Sequence, residues 1–214
     1  MHIRVQDNTV TIEGYVNAVE RNSKPLHSRL GRFIERIRKG AFKRAIEKNE
    51  DIHILLNHDW SRDLGSTKAG NLTLKEDSIG LHARAEINDA EVAEDARKGN
   101  LVGWSFGFRD VEGGVERKTE DGMMVRVVSD MDMREVSIIN RAKSPAYEGT
   151  LIMVRAEDDA ELFGEIFESD IELEDIPTEE RSEESAKQDD PDADIIDYSR
   201  YDELIAEMKG DKAE

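Results

Sequence analysis

Charge is segregated along this chain. Residues 1–156 hold 25 acidic and 25 basic side chains and sum to zero, while 157–214 hold 24 acidic and 5 basic, so the whole net charge of −19 falls in the last 58 residues. So acidic a segment buries too little apolar surface to offset its chain entropy, and a folded core has to come from about the first 156 residues. That length suits one domain of ordinary size. Taken over the whole molecule, the acidic excess repels phosphate and excludes nucleic acid and anionic membranes as partners.

The chain has no cysteine, which removes disulfides, thiolate nucleophiles and thiolate zinc sites together. No apolar run approaches the ~18 residues of a spanning helix, and Met1-His2-Ile3-Arg4 lacks an apolar signal-peptide centre, so a soluble, non-exported chain is expected.

Within the body, 9–19 alternates with period two, placing Val10, Ile12, Val16 and Ala18 on one side, as a half-buried strand requires. Residues around Pro25 read as a loop and 33–49 as a helical stretch interrupted at Gly40. Residues 51–57 read as a strand and 64–87 as two or three more, with Leu81, Ala83, Ala85 and Ile87 on one face. Asn88 as N-cap, Glu91 as its capping-box partner and Gly99 as a stop predict a helix over 89–98. Strands are expected at 102–108, 123–128 and 133–139, an exposed hairpin or loop at 112–122, and a last apolar segment at 151–154. The fold expected is a β-dominated α+β body, a small closed or partly closed β-barrel with flanking helices. In the tail, 160–167 and 198–208 have the pattern of short amphipathic helices formed on a partner, within an otherwise disordered 157–214.

Without cysteine, histidines are the first candidates for a general base. His2 is terminal, His27 lies in a charged loop, and His82 faces away from the apolar side of its strand. His53 and His58 are separated by an odd number of residues, so a straight strand would point them to opposite faces, which disfavours a metal. His58 follows the apolar run Ile54-Leu55-Leu56 and stands at a strand end, a place for a base or for a structural histidine. In Gly103-Trp104-Ser105-Phe106-Gly107-Phe108 the aromatics share one face and Gly103, Ser105 and Gly107 the other. The Ser105 hydroxyl would then stand between glycines, open to an approaching peptide, unless this is an ordinary strand with a small-residue surface. Glu135, beside the core formers Val136 and Ile138, has the choice of orienting a histidine or pairing with Arg134 or Arg141.

Taken in order, Gly14 to Ala18, Gly40-Ala41-Phe42, Asn57-His58-Asp59 followed by Leu64-Gly65, Gly80-Leu81, 103–108, Glu135-Val136-Ser137 and Pro145-Ala146-Tyr147 resemble the tailed-phage prohead protease family over about 13–155. The family is related to herpesvirus assemblin, so the resemblance implies a herpesvirus-protease-like fold and a serine endopeptidase that processes capsid and scaffold proteins during prohead maturation and cleaves itself. It implies His58 as base and Ser105 as nucleophile. Assemblins use a second histidine as third member, and no histidine follows His82 here, so Glu135 is the best-placed substitute, with Asp130 and Asp132 in reserve. Backbone N–H groups of Arg141 and Ala142 are the implied oxyanion donors. No cofactor or metal is implied. The implied partners are the major capsid protein, scaffold segments and a second copy of the chain, inside the assembling prohead in the host cytoplasm. The competing expectation is a non-enzymatic assembly or scaffolding protein on the same fold; a binding module with its ligand surface at 112–122 is a third.

Overall fold

The computed structural model describes residues 1–28, 31–141, 162–163, 166–168 and 170–176. The chain divides into two units, Met1–Thr178 and Glu179–Glu214, and all described residues belong to the first.

With elements numbered in chain order, one sheet runs β15-β1-β2-β8-β7, from β1 (His2–Gln6), β2 (Thr9–Ala18), β7 (Leu72–Glu76), β8 (Gly80–Asn88) and β15 (Glu172–Ile176). A second runs β10-β11-β4-β3, from β3 (Leu26–Ser28), β4 (Gly31–Ile37), β10 (Val115–Glu120) and β11 (Met123–Val128). The third runs β13-β9-β12-β5-β6, from β5 (His53–Leu56), β6 (Asp59–Ser66), β9 (Leu101–Asp110), β12 (Met131–Asn140) and β13 (Leu162–Phe163), with β14 (Phe167–Glu168) also on β9. Two helices, α1 (Ala41–Lys48) and α2 (Ala90–Arg97), complete the described elements.

The β-rich expectation holds, but among the described residues no sheet closes into a barrel. Closure needs an unbroken ladder around the circumference. Here β6 and β7 end different sheets, and at the corner between them a side chain replaces the ladder: Asn71 Nδ2 donates to Leu64 O (2.9 Å) and Glu86 O (3.1 Å).

Trp104, Phe106 and Phe108 are fully buried, as the alternation predicts. Phe106 meets Phe42 of α1 edge-on at 5.1 Å and stacks on Phe108 at 5.3 Å, so the aromatic face of β9 is clamped under the helix. The N-terminus of α1 is closed from the first sheet, where the Glu76 carboxylate accepts the N–H groups of Gly40 and Lys43 (2.7 Å to the latter), a negative charge at the positive end of the helix.

Three local expectations are corrected. The stretch 31–37 is a strand, not helix: Phe33, Glu35 and Ile37 all point inward, and the charged member of that set hides the alternation. The N-cap of α2 is Asp89, not Asn88; its carboxylate accepts the Val92 N–H at 3.0 Å, and Glu91 pairs with Arg62 instead of closing a capping box. In the acidic segment, strands at Leu162–Phe163 and Phe167–Glu168 stand where a helix over 160–167 was expected, and Glu172–Ile176 forms a parallel edge strand on β1. The acids of β15 find cations on the body, Glu174 with Arg4 (2.9 Å) and Asp175 with Arg97 (3.1 Å), which is why a highly charged strand is accepted at this edge. The expected segments at 151–154 and 198–208 lie outside the described residues.

The inward Glu35 is matched by buried Arg126 (3.2 Å), which also holds Asp110 through two hydrogen bonds of 3.0 and 2.7 Å. Burial works against the guanidinium charge, but the hydrogen bonds to Asp110 and the charge of Glu35 outweigh it and hold its pKa above the ordinary arginine value. Arg126→Met takes the guanidinium from buried Glu35, while Asp110 keeps Arg117 at 3.5 Å, and is expected to destabilise the protein by about 3–5 kcal/mol, measured by denaturant unfolding. A loss below about 1 kcal/mol would show that the cluster does not hold the second sheet to β9.

Candidate active site

His58 does not end a strand; it sits in a turn. Leu56 pairs with Asp59 across β5 and β6, and the two residues between them, Asn57 and His58, both have φ of 58°. Positive φ at both central positions is the mark of a type I′ hairpin turn, whose second position glycine normally fills. A non-glycine residue held there costs of order 1–3 kcal/mol and persists where its surroundings impose it. The turn projects the imidazole across the third sheet, where its side chain is only 2% exposed.

Glu135 reaches the same place through a register fault. Met133 pairs with Phe108 and Glu135 with Gly107, so Arg134 is an extra residue on β12, a β-bulge. In an unbroken ladder Glu135 would stand opposite Phe106, on the apolar face. The bulge moves it to the opposite face, alongside Gly107 and Ser105, and lets Val136 and Ile138 take the core positions. Gly107 supplies the space: a Cβ there would overlap Glu135 Oε1.

The fully buried Glu135 carboxylate accepts two hydrogen bonds. Oε1 lies 2.7 Å from His58 Nδ1, and Oε2 accepts the Ser137 hydroxyl at 2.5 Å. Ser137 Oγ in turn accepts the backbone N–H of His58 at 3.0 Å. This closes a ring from the His58 backbone through Ser137 and Glu135 to the His58 imidazole, fixing the histidine at both ends. A carboxylate only accepts, so Nδ1 is assigned as the N–H donor of this bond, and Nε2 is the ring nitrogen left for other partners.

Ser105 stands directly opposite Ser137 in the antiparallel β9–β12 pairing, and Gly107 opposite Glu135, so all four share one sheet face. Histidine, serine and carboxylate are thus gathered on one patch from β9, β12 and the β5–β6 turn. Ser105 is not open to solvent as its glycine neighbours suggested; it is fully buried, and β13 and β14 occupy the edge of β9 away from β12.

A sequence model of the family described as caudovirus prohead serine protease matches residues 1–162. The chain belongs to that family. It is a serine peptidase of phage capsid maturation. No curated protein and no solved structure matches the chain.

Other expected residues of the protease lie elsewhere. Asp130 is engaged by Lys48, whose hydrogen bond holds its carboxyl below the usual range, and Asp132 pairs with Arg134 at 3.3 Å. Neither is bonded to His58. The Arg141 N–H, implied above as an oxyanion donor, donates to Asn100 O at 2.8 Å in this arrangement. Ala142 lies outside the described residues. His53 lies 2.8 Å from Asp63 and edge-on to Trp60, and His82 packs edge-on against Tyr15. Among the described residues no group of three or more His, Asp or Glu is placed to hold a metal. Ser137 belongs to the site as well; its signal in the sequence is its place two residues beyond Glu135, on the same strand face.

Proposed function

We propose that this prohead protease is an endopeptidase in which Ser105 is the nucleophile, His58 the general base and Glu135 the residue that orients it. The observation that carries this reading is the 2.7 Å hydrogen bond between buried Glu135 and His58, on the sheet face that Ser105 shares. His58 Nε2 takes the Ser105 proton as Oγ attacks the scissile carbonyl; the C–N bond then breaks and the amine leaves with the proton from His58. Water, activated by the same imidazole, hydrolyses the acyl-enzyme. Glu135 holds Nδ1–H and stabilises the imidazolium formed on the way. In chain order the set is His, Ser, acid.

The substrates proposed are the major capsid protein, scaffold segments and the chain itself, in the assembling prohead of the infected host. Self-processing is supported by the chain's own residues beyond the match. Phe163 pairs with Gly107 and Phe167 with Trp104, so two antiparallel stretches of the acidic segment bracket Ser105 on the edge of its own strand. An extended peptide added to a strand edge is a general mode of peptide recognition.

Because Ser105 is buried, a serine-directed organophosphonate should be applied while capsid protein assembles. Labelling at Ser105 is expected, and is expected to vanish in His58→Ala. No label at Ser105 while processing proceeds would overturn the nucleophile assignment; no label and no processing would favour the scaffold reading.

A further inference from the structure

The left-handed turn that carries His58 is fastened to the end of β12 by more than the ring through Ser137. The Asn57 N–H donates to Ile138 O at 2.9 Å. Its side-chain amide is matched to Asn140 in both directions: Nδ2 donates to Asn140 Oδ1 (2.9 Å), and Oδ1 accepts the Asn140 N–H (3.0 Å). Both asparagines are buried. The exchange fixes which end of each amide is oxygen, because the Asn140 N–H demands an acceptor and its Oδ1 a donor.

The clasp has an anchor behind it. Asn140 Nδ2 donates to Asp95 Oδ2 at 2.7 Å, and Asp95 Oδ1 accepts from Asn100 Nδ2 at 3.0 Å. A second bulge, at Val102 of β9, breaks the register as Asn140 is reached, at the end of the strand where the clasp forms. The turn, the end of β12 and the C-terminal end of α2 are thereby joined through one polar chain, buried at its asparagine pair and half-buried at Asp95 and Asn100.

We propose that the Asn57–Asn140 clasp, anchored at Asp95, is the positioning device that aims the His58 imidazole, a role resting on the assignment of His58 and Glu135 above. The ring through Ser137 and Glu135 holds His58 itself, whereas the clasp holds the residue before it in the turn; a turn free to pivot at Asn57 would pull the imidazole out of line with Glu135. Asn57 is suited to this as an asparagine. Glycine would keep the turn but lose the clasp, and aspartate would set an oxygen against Asn140 Oδ1.

The test is the kinetics of capsid-protein cleavage by Asn57→Gly, Glu135→Gln, their double variant and Asp95→Ala. Asn57→Gly, which the turn geometry favours, is expected to lower kcat about 10- to 100-fold with KM within about twofold, the size of effect of a small misplacement at a catalytic group. Asp95→Ala, on a helix that alanine suits, is expected to lose about three- to tenfold in kcat. In the Glu135→Gln background Asn57→Gly should add less than about threefold, because groups acting as a unit are not additive. Parental kcat in Asn57→Gly, or losses that multiply in the double variant, would overturn the positioning role. Parental activity in Glu135→Gln would instead overturn the triad, and the clasp's role with it.

Discussion

Under the proposed mechanism Ser105→Ala is expected to leave the capsid protein uncut, with kcat down roughly 10⁵- to 10⁶-fold, because the proposed nucleophile is gone and only binding and electrostatic assistance remain. The folded state should hardly notice. Ser105 lies on the small-residue face of β9, while Trp104, Phe106 and Phe108 anchor the strand from the other side, so removing one hydroxyl is expected to cost no more than about 2 kcal/mol. Two readings on one sample check this: N-terminal sequencing of capsid protein after incubation, and the intact mass of the protease. The parental chain is expected to shorten as its acidic segment is cut, and the variant to keep the mass of residues 1–214. Capsid cleavage by the variant at the parental rate would remove Ser105 from the mechanism. An active parental chain that keeps its full mass at long times would count against self-processing alone.

Gly107→Ala is expected to lower kcat by about 10²- to 10⁴-fold without touching a residue that meets substrate, approaching the loss seen when a triad acid is disabled. Its backbone is not in the left-handed region, so the penalty is one of space, and the space in question is filled by Glu135 Oε1. That oxygen is the one bonded to His58. The flexible carboxylate gives way before the sheet does, so His58 loses its partner while destabilisation stays near the 1–3 kcal/mol typical of overpacking. Thermal unfolding of the variant beside its cleavage rate separates the two effects. A folded variant active within twofold of the parent would show that His58 does not need Glu135 where it now lies.

The candidate residues were legible because each carries a local mark. His58 closes an apolar run, Ser105 alternates with aromatics, and Glu135 stands in a strand of core formers. What joins them was less legible. Met131 and Met133 are buried at odd positions and Val136 and Ile138 at even ones, so the bulge at Arg134 is written in the spacing of the core residues, but only the partner strand shows which residue is the extra one. The turn at Asn57 and His58 is not legible in the sequence because its second position lacks the glycine that advertises such turns. The strand at 31–37 was hidden by Glu35, an acid whose inward place depends on Arg126, 91 residues away. The edge strand at 172–176 was hidden by its acids, which local composition assigns to solvent.

The sequence by itself determined where a core was possible, since charge segregation confines it to the balanced body, and which face of β9 is apolar, since the pleat has a period of two that neighbours in sequence impose. It also determined the chemical types available: an imidazole, a hydroxyl and a carboxylate, without a thiol. Only the tertiary structure decided that the three share one face, that Ser105 is buried with the chain's own acidic segment on its strand edge, and that the Arg141 N–H is already engaged. The physical reason is register. A strand's two faces follow from local geometry, but which residue stands opposite which is set by hydrogen bonds between segments far apart in sequence, and one extra residue in a ladder turns a side chain from the core to the site.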